Sequence, residues 1–328
     1  MSDKSSGNKG RIIAYRDDAS PEYTTEKVAM PIRESSFVQI GRGEHIVDVS
    51  MATVGDIGLL RNGIGVEAVG INVLNPDYIG FALPVSWSGD LLINGQLARK
   101  HNIYMPGDLG SMHLRSKSRV ILGVTMPRAP FVETIAALRG VDPGDVLRND
   151  RELCLSEAAG AEVRARLTAI ITEVCSESGK RSVREISNEV TGLLIDAYLH
   201  ALPEPALLTG RISHTDRIVQ LAEERFMAPA DKPVSLADLC AATGVKKSTL
   251  YKAFHSVCGL SPLAYFHKRR LMQARSLLFN AANEPAQVKR AALSVGFTEL
   301  GRFAVEYRRL FGESPSTTLS RHGLIGSR

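Results

Sequence analysis

Two short basic segments carry side chains suited to hydrogen bonding with a polyanion. In the first, Lys247, Ser248, Tyr251, Lys252 and His255 follow three- and four-residue steps that place them on one helical face. In the second, Gly301, Arg302, Val305, Arg308 and Arg309 do the same. Ammonium and guanidinium groups can meet guanine O6 and N7 or a phosphate oxygen, and an α-helix fits the major groove of duplex DNA. Arg302, Tyr251 and Lys252 are the expected base-edge contacts, and Arg308 and Arg309 the expected phosphate contacts. Lys246, Lys268, Arg269 and Arg270 also read as a solvated basic face.

The elements that must position these groups recur along the chain. From Ala241 to Pro262, and again from Ser294 to Pro315, a glycine corner leads through a basic amphipathic helix to Gly-x-Ser-Pro. Each corner is preceded by a short helix. Ser235 is its expected N-cap in the first unit, with Asp238 three residues on. Leu236 and Leu239 in the first unit, and Val288 and Ala291 in the second, are expected to face inward. Small Cys240 and Ala292 let the helices cross closely, and Gly244 and Gly296 supply the positive φ of a tight turn. Leu250 with Phe254, and Phe303 with Tyr307, form the buried edges of the second helices. This is the pattern of two helix-turn-helix units. The segment Tyr265 to Asn280 between them reads as a stiff helix. A spacing of about 34 Å would let both second helices enter successive major grooves.

The string Val288, Ala291, Ala292, Gly296, Phe297, Phe303, Tyr307, Phe311, Gly312, Ser314, Pro315 resembles the signature of the AraC/XylS family of bacterial transcription regulators. The family pattern usually has a larger aliphatic where Ala291 stands, and polar side chains where Gly301 and Val305 stand. The resemblance implies a DNA-binding domain over residues 215–322 that contacts promoter DNA through Lys247, Ser248, Tyr251, Lys252, Arg302, Arg308 and Arg309. It further implies a cupin-like front domain that senses a small molecule and mediates dimerisation, a role as activator, and RNA polymerase as a partner.

Charge distribution agrees with that division. From Arg211 onward the chain has 18 Lys and Arg against 9 Asp and Glu, whereas the whole chain has 40 against 35. A basic end on an acidic body points toward a polyanionic partner. The region from Ser36 to Phe131 is rich in β-branched residues and turn dipeptides, with Asn62-Gly63 and Asn94-Gly95 as hairpin signals. It predicts an antiparallel sandwich or small barrel. Two amphipathic helices follow, on Val163, Leu167, Ile170, Ile171 and Val174, then on Ile186, Val190, Leu193, Leu194 and Tyr198, and they are expected to pack against each other and also to offer a dimer face. The expected fold is therefore α+β: a disordered or ligand-ordered arm over residues 1–20, a cupin-like sensor and dimerisation barrel with two helices over 21–202, a linker over 203–214, and the all-α domain over 215–322.

The effector is the least constrained element. His45, His101 and His113 lack metal-ligand spacing, so no metal cofactor is expected. Trp87, Phe81 and Tyr104 are candidates for a pocket lining or for the core. Arg11 and Arg16, followed by Asp48 and Ser50, resemble the paired-arginine and D/N-x-S-x-x-G pattern of cyclic-di-GMP-binding PilZ proteins. Here the arginines are five apart rather than four, and Thr53 stands where that pattern has glycine. An unidentified metabolite and cyclic-di-GMP are thus the two effector classes. DNA-repair alkyltransferases carry this type of DNA-binding domain, but neither Cys154 nor Cys175 has a Pro-Cys context, so no catalysis is expected. An architectural DNA-bending role would not need the large front region. Four scattered cysteines, the polar start and the lack of a long apolar run lead to expecting a cytoplasmic protein with no membrane partner.

Overall fold

The computed structural model describes residues 12–17, 30–44, 46–106, 110–147, 152–176, 181–202, 209–228, 234–281, 284 and 286–325. The strands are β1 (Ile12–Asp17), β2 (Ile32–Gln39), β3 (Val47–Val54), β4 (Ile57–Ile64), β5 (Ala68–Leu74) and β6 (Tyr78–Ser88). They continue as β7 (Leu92–Ile93), β8 (Gln96–Leu97), β9 (Ile103–Tyr104), β10 (Ser111–Ser116), β11 (Ser118–Pro127) and β12 (Glu152–Leu153). The front region also holds helices α1 (Arg128–Arg139), α2 (Glu157–Cys175) and α3 (Val183–Leu199). The remaining helices are α4 (Thr209–Met227), α5 (Leu236–Thr243), α6 (Lys247–Cys258), α7 (Pro262–Phe279), α8 (Ala286–Ser294), α9 (Leu300–Phe311) and α10 (Pro315–Ile325). Helix α4 begins inside the stretch read as a linker.

The fold is α+β, but the strands form two open antiparallel sheets instead of the expected closed barrel. One runs β1-β3-β4-β11-β6-β9-β12 and the other β2-β5-β10-β7-β8. Strands β7, β8, β9 and β12 have two residues each, too few backbone groups to zip one sheet onto the other. The Asn94-Gly95 turn forms as expected, with φ of 51° and 82° joining β7 to β8. Asn62-Gly63 does not turn. Both residues lie within β4, paired with Val49 and Asp48, and a Cβ at Gly63 would approach the Asp48 carbonyl at 3.3 Å. That glycine serves close strand approach, and the turn falls instead at Gly55, φ 61°.

Helices cover the outer face of each sheet. On the larger sheet, Ala52, Val54, Leu59, Leu122 and Val124 pack against α1, α2 and α3. The predicted stripes of α2 and α3 are all buried there. The helices turn outward an ion-pair lattice, Arg166–Glu189 at 3.1 Å and Arg181–Glu173 at 3.2 Å. The apolar stripes of both helices are therefore spent on the sheet. On the smaller sheet, Val38, Val69 and Ile71 pack against Ile218, Val219, Leu250, Phe254 and Tyr265. The helical region thus docks directly on the sheet.

Candidate nucleic-acid interface

Both repeat units form the expected helix pairs. Ser235 caps α5 in a full capping box with Asp238, and Gly244 closes the helix at φ 66°. Gly296 makes the matching corner at φ 88°. Leu250, Phe254, Phe303 and Tyr307 are fully buried, and Ala292 is buried at the second crossing. Helix α7 spans both units and contributes to both cores: Tyr265 and Phe266 to the first, Leu271, Met272, Ala274 and Leu278 to the second. Its 18 residues give a length of about 27 Å at 1.5 Å per residue.

The two outward faces keep their polar groups accessible. Lys247, Ser248, Lys252 and His255 are exposed on α6, while Tyr251 is half-buried under the Lys247 ammonium, 5.8 Å from its ring centre. On α9, Gly301, Arg302, Val305, Arg308 and Arg309 are exposed. Arg302 Nε donates to Glu306 Oε1 at 3.0 Å, and the other Glu306 oxygen takes His267 Nε2 at 2.7 Å. Glu306 thereby fixes Arg302 along the helix while the arginine side chain stays 70% exposed.

Arg269 departs from the sequence reading of a solvated face. It is buried, with Nη2 on Glu34 of β2 at 2.9 Å and Nη1 3.6 Å from Glu223 of α4. Glu223 also accepts from the Tyr265 hydroxyl and lies 3.3 Å from His113 Nε2 on β10. The other ring nitrogen of His113 meets Asp216 of α4, which also accepts from Ser111 Oγ at 3.2 Å. The cluster joins the smaller sheet to α4 and α7. Its signal in the sequence was faint but present. Asp216, Gln220 and Glu223 follow four- and three-residue steps on α4, and Arg269 follows Tyr265 by four on α7.

This cluster has a pH signature. Burial alone would lower the His113 pKa, but the Asp216 and Glu223 carboxylates outweigh it and raise it to about 10. Burial would raise the Glu223 pKa, but the Arg269 and His113 charges hold it low. A histidine raised on folding contributes stability that is complete below its unfolded pKa of about 6.5 and is lost as pH climbs toward the folded value. Cys258 and Tyr265, whose pKa values burial also raises, add losses of the same sign at higher pH. The urea midpoint is expected to fall steadily between pH 6.5 and 9, and a level profile there would contradict a charged His113.

The sheet region also touches α6 and α9 at equivalent points, their C-caps. Gly259 ends α6 at φ 70°, with the Arg115 guanidinium filling the space a Cβ would occupy. Gly312 ends α9 at φ 77° beside Gly43. Gln39 is fully buried there, its Nε2 2.9 Å from the carbonyl oxygens of both Gly43 and Leu310, and Gly43 N donates to Leu310 O at 3.1 Å.

Of the residues read as a cyclic-di-GMP site, Arg11 lies outside the described residues. Arg16 pairs with Ser50 in the backbone register of β1 and β3. Asp48 is engaged by Arg61, and Ser50 is buried. Phe81 and Tyr104 are core residues, and Trp87 is half-buried against the core. A cleft of about 1180 Å³ opens elsewhere, between β5, β6, α1 and α4. Arg33, Tyr78, Arg128, Val146, Leu147 and Gln220 are among its lining residues. Gln220 is buried, and its Oε1 has no hydrogen-bond partner among the described residues.

Comparison with known proteins places the repeat. A family profile described as "Helix-turn-helix domain" matches residues 239–321. The XylDLEGF operon transcriptional activator 2 of Pseudomonas putida is 36% identical over 107 residues, 33% of this chain and 66% of the relative. Transcriptional activator NphR of Rhodococcus sp is 29% identical over 138 residues, 40% of this chain and 39% of its own. The chain thus spans less than two thirds of these relatives. A solved structure from Rhodopseudomonas palustris CGA009, assigned to the AraC family, is 38% identical over 33% of this chain and 96% of its own, with a TM-score of 0.29. ToxT of Vibrio cholerae O395 is 15% identical over 81% of this chain and 97% of its own, with a TM-score of 0.32.

Proposed function

The chain belongs to the AraC/XylS family of transcription regulators through its C-terminal helices, and from that premise we propose that it is a promoter-binding activator governed by a small-molecule effector. One observation carries the reading. Two helix-turn-helix units with separate aromatic cores both keep a cationic face of their second helix in solvent. Tyr251, Lys252 and Arg302 supply base-edge donors, Lys247 and Ser248 add DNA contacts on the same face, and Arg308 and Arg309 clamp phosphates. On this reading residues 215–322 form the DNA-binding domain, and RNA polymerase and a second copy of the chain are its further partners.

Enrichment of a duplex from a random pool by the full-length protein tests this directly. Arg302→Ala and Lys252→Ala should each relax preference at particular base pairs, by about 1–3 kcal/mol per lost bidentate contact. Arg309→Ala should weaken all duplexes alike. Equal losses on enriched and random DNA in all three variants would overturn the division of roles. Failure to enrich any duplex would overturn the function.

For the effector, the cleft beside α4 is a better candidate than the cyclic-di-GMP pattern, because Asp48 is already engaged by Arg61 and Ser50 is buried. A metabolite seated in the cleft would touch sheet, α1 and α4 together. It would therefore favour one arrangement of the two regions over another, as a ligand-driven switch requires.

A further inference from the structure

We propose that Gly301 and Val305 form an apolar reading patch on α9 that recognises the 5-methyl group of thymine in the major groove. This rests on the DNA-binding reading above and extends it to which base the second unit selects.

The starting observation is that both residues are poor choices for a helix surface. Glycine is the weakest helix former after proline, and valine is disfavoured because its branched Cβ loses freedom against the preceding turn. Packing does not explain either one. A Cβ at Gly301 would meet nothing within 4 Å, and Gly301 is not among the glycines with positive φ. Neither fit nor backbone conformation requires a glycine there. Val305 is 68% exposed, the most exposed large hydrophobic among the described residues. The core edge of α9 is already complete with Phe303, Tyr307, Leu310 and Phe311. At about 100° per residue, Val305 points roughly 200° away from Phe303.

The two positions are four residues apart, so they adjoin on the outward face. Together they make a smooth apolar strip where the helix backbone is uncovered, flanked by exposed Arg302, Arg308 and Arg309. In the major groove, thymine alone among the four bases presents a methyl group, and an aliphatic side chain is its natural contact. The missing side chain at 301 lets the helix approach closely enough for the Val305 methyls to reach it. The arginines on either side then hold the helix against the backbone.

The test uses full-length protein and a duplex enriched by the wild type from a random pool. Each thymine is replaced in turn by deoxyuridine, which removes the methyl and keeps every hydrogen bond. One or two positions should weaken wild-type binding about four-fold, as expected for one buried methyl-sized group. In Val305→Ala the same replacements should cost nothing further, while binding of the unmodified duplex is weaker by a similar factor. Gly301→Ala should raise the thermal midpoint, as a better helix former, and at the same time weaken the duplex. A deoxyuridine profile identical in wild type and Val305→Ala would overturn the proposal while leaving DNA binding intact. Unchanged affinity in Gly301→Ala would remove the close-approach role. Failure of the wild type to enrich any duplex would remove the DNA-binding reading, and this proposal with it.

Discussion

Affinity for the enriched duplex should fall about 500-fold between 50 and 200 mM salt. The outer faces of α6 and α9 carry Lys247, Lys252, Arg302, Arg308 and Arg309 in exposed positions. Each phosphate these groups neutralise releases condensed counterions, and the release is worth less as bulk salt rises. With about five phosphates neutralised, the slope of log affinity against log salt is about −4.5. The acidic front region does not cancel the effect, because the Debye length of about 10 Å at 0.1 M screens charges away from the contact. Arg309→Ala should make the slope shallower by about 0.9. A slope near zero on the enriched duplex, measured by fluorescence anisotropy, would remove the electrostatic basis of the interface.

The second large effect concerns stability. Glu223→Ala should cost about 3–5 kcal/mol, because it leaves the charges of His113 and Arg269 buried without their shared partner. Glu34 would remain on Arg269, but its side chain is 37% exposed and cannot replace a carboxylate buried between the two cations. Glu223→Gln separates charge from volume. The amide oxygen can still accept from Tyr265, so a cost close to that of the alanine variant assigns the loss to the missing charge. A small cost for glutamine and a large one for alanine would assign it to packing. Urea unfolding followed by the fluorescence of Trp87, the only tryptophan, gives both values. Because the cluster joins β2 and β10 to α4 and α7, both variants should also loosen the contact between sheet and helices.

The helical repeat was legible in the sequence because helix-turn-helix geometry is local. Its glycine corners, small crossing residues and aromatic edges follow three- and four-residue steps, and Gly244, Gly296, Phe254, Phe303 and Tyr307 stand where those steps put them. The α2 and α3 stripes were legible for the same reason, and so was the Asn94-Gly95 hairpin, whose two residues both take the positive φ of its turn. What covers a face is a different matter, since that depends on chain segments far away in sequence. Asn62-Gly63 looks like a turn until β3 is laid beside it. The stripes of α2 and α3 announce a buried face, but only the fold shows that the larger sheet takes it.

Charge was misread on the same grounds. Composition sees Lys268, Arg269 and Arg270 as one basic run, yet Arg269 is buried between Glu34 and Glu223, 235 and 46 residues away in sequence. His113 seemed isolated because its partners, Asp216 and Glu223, lie more than a hundred residues downstream. Local periodicity determined which residues of α6 and α9 face outward. Only the docking of α4 and α7 on the smaller sheet decided which charges are spent inside the protein, because desolvation forces each buried charge to find a partner wherever the fold brings one.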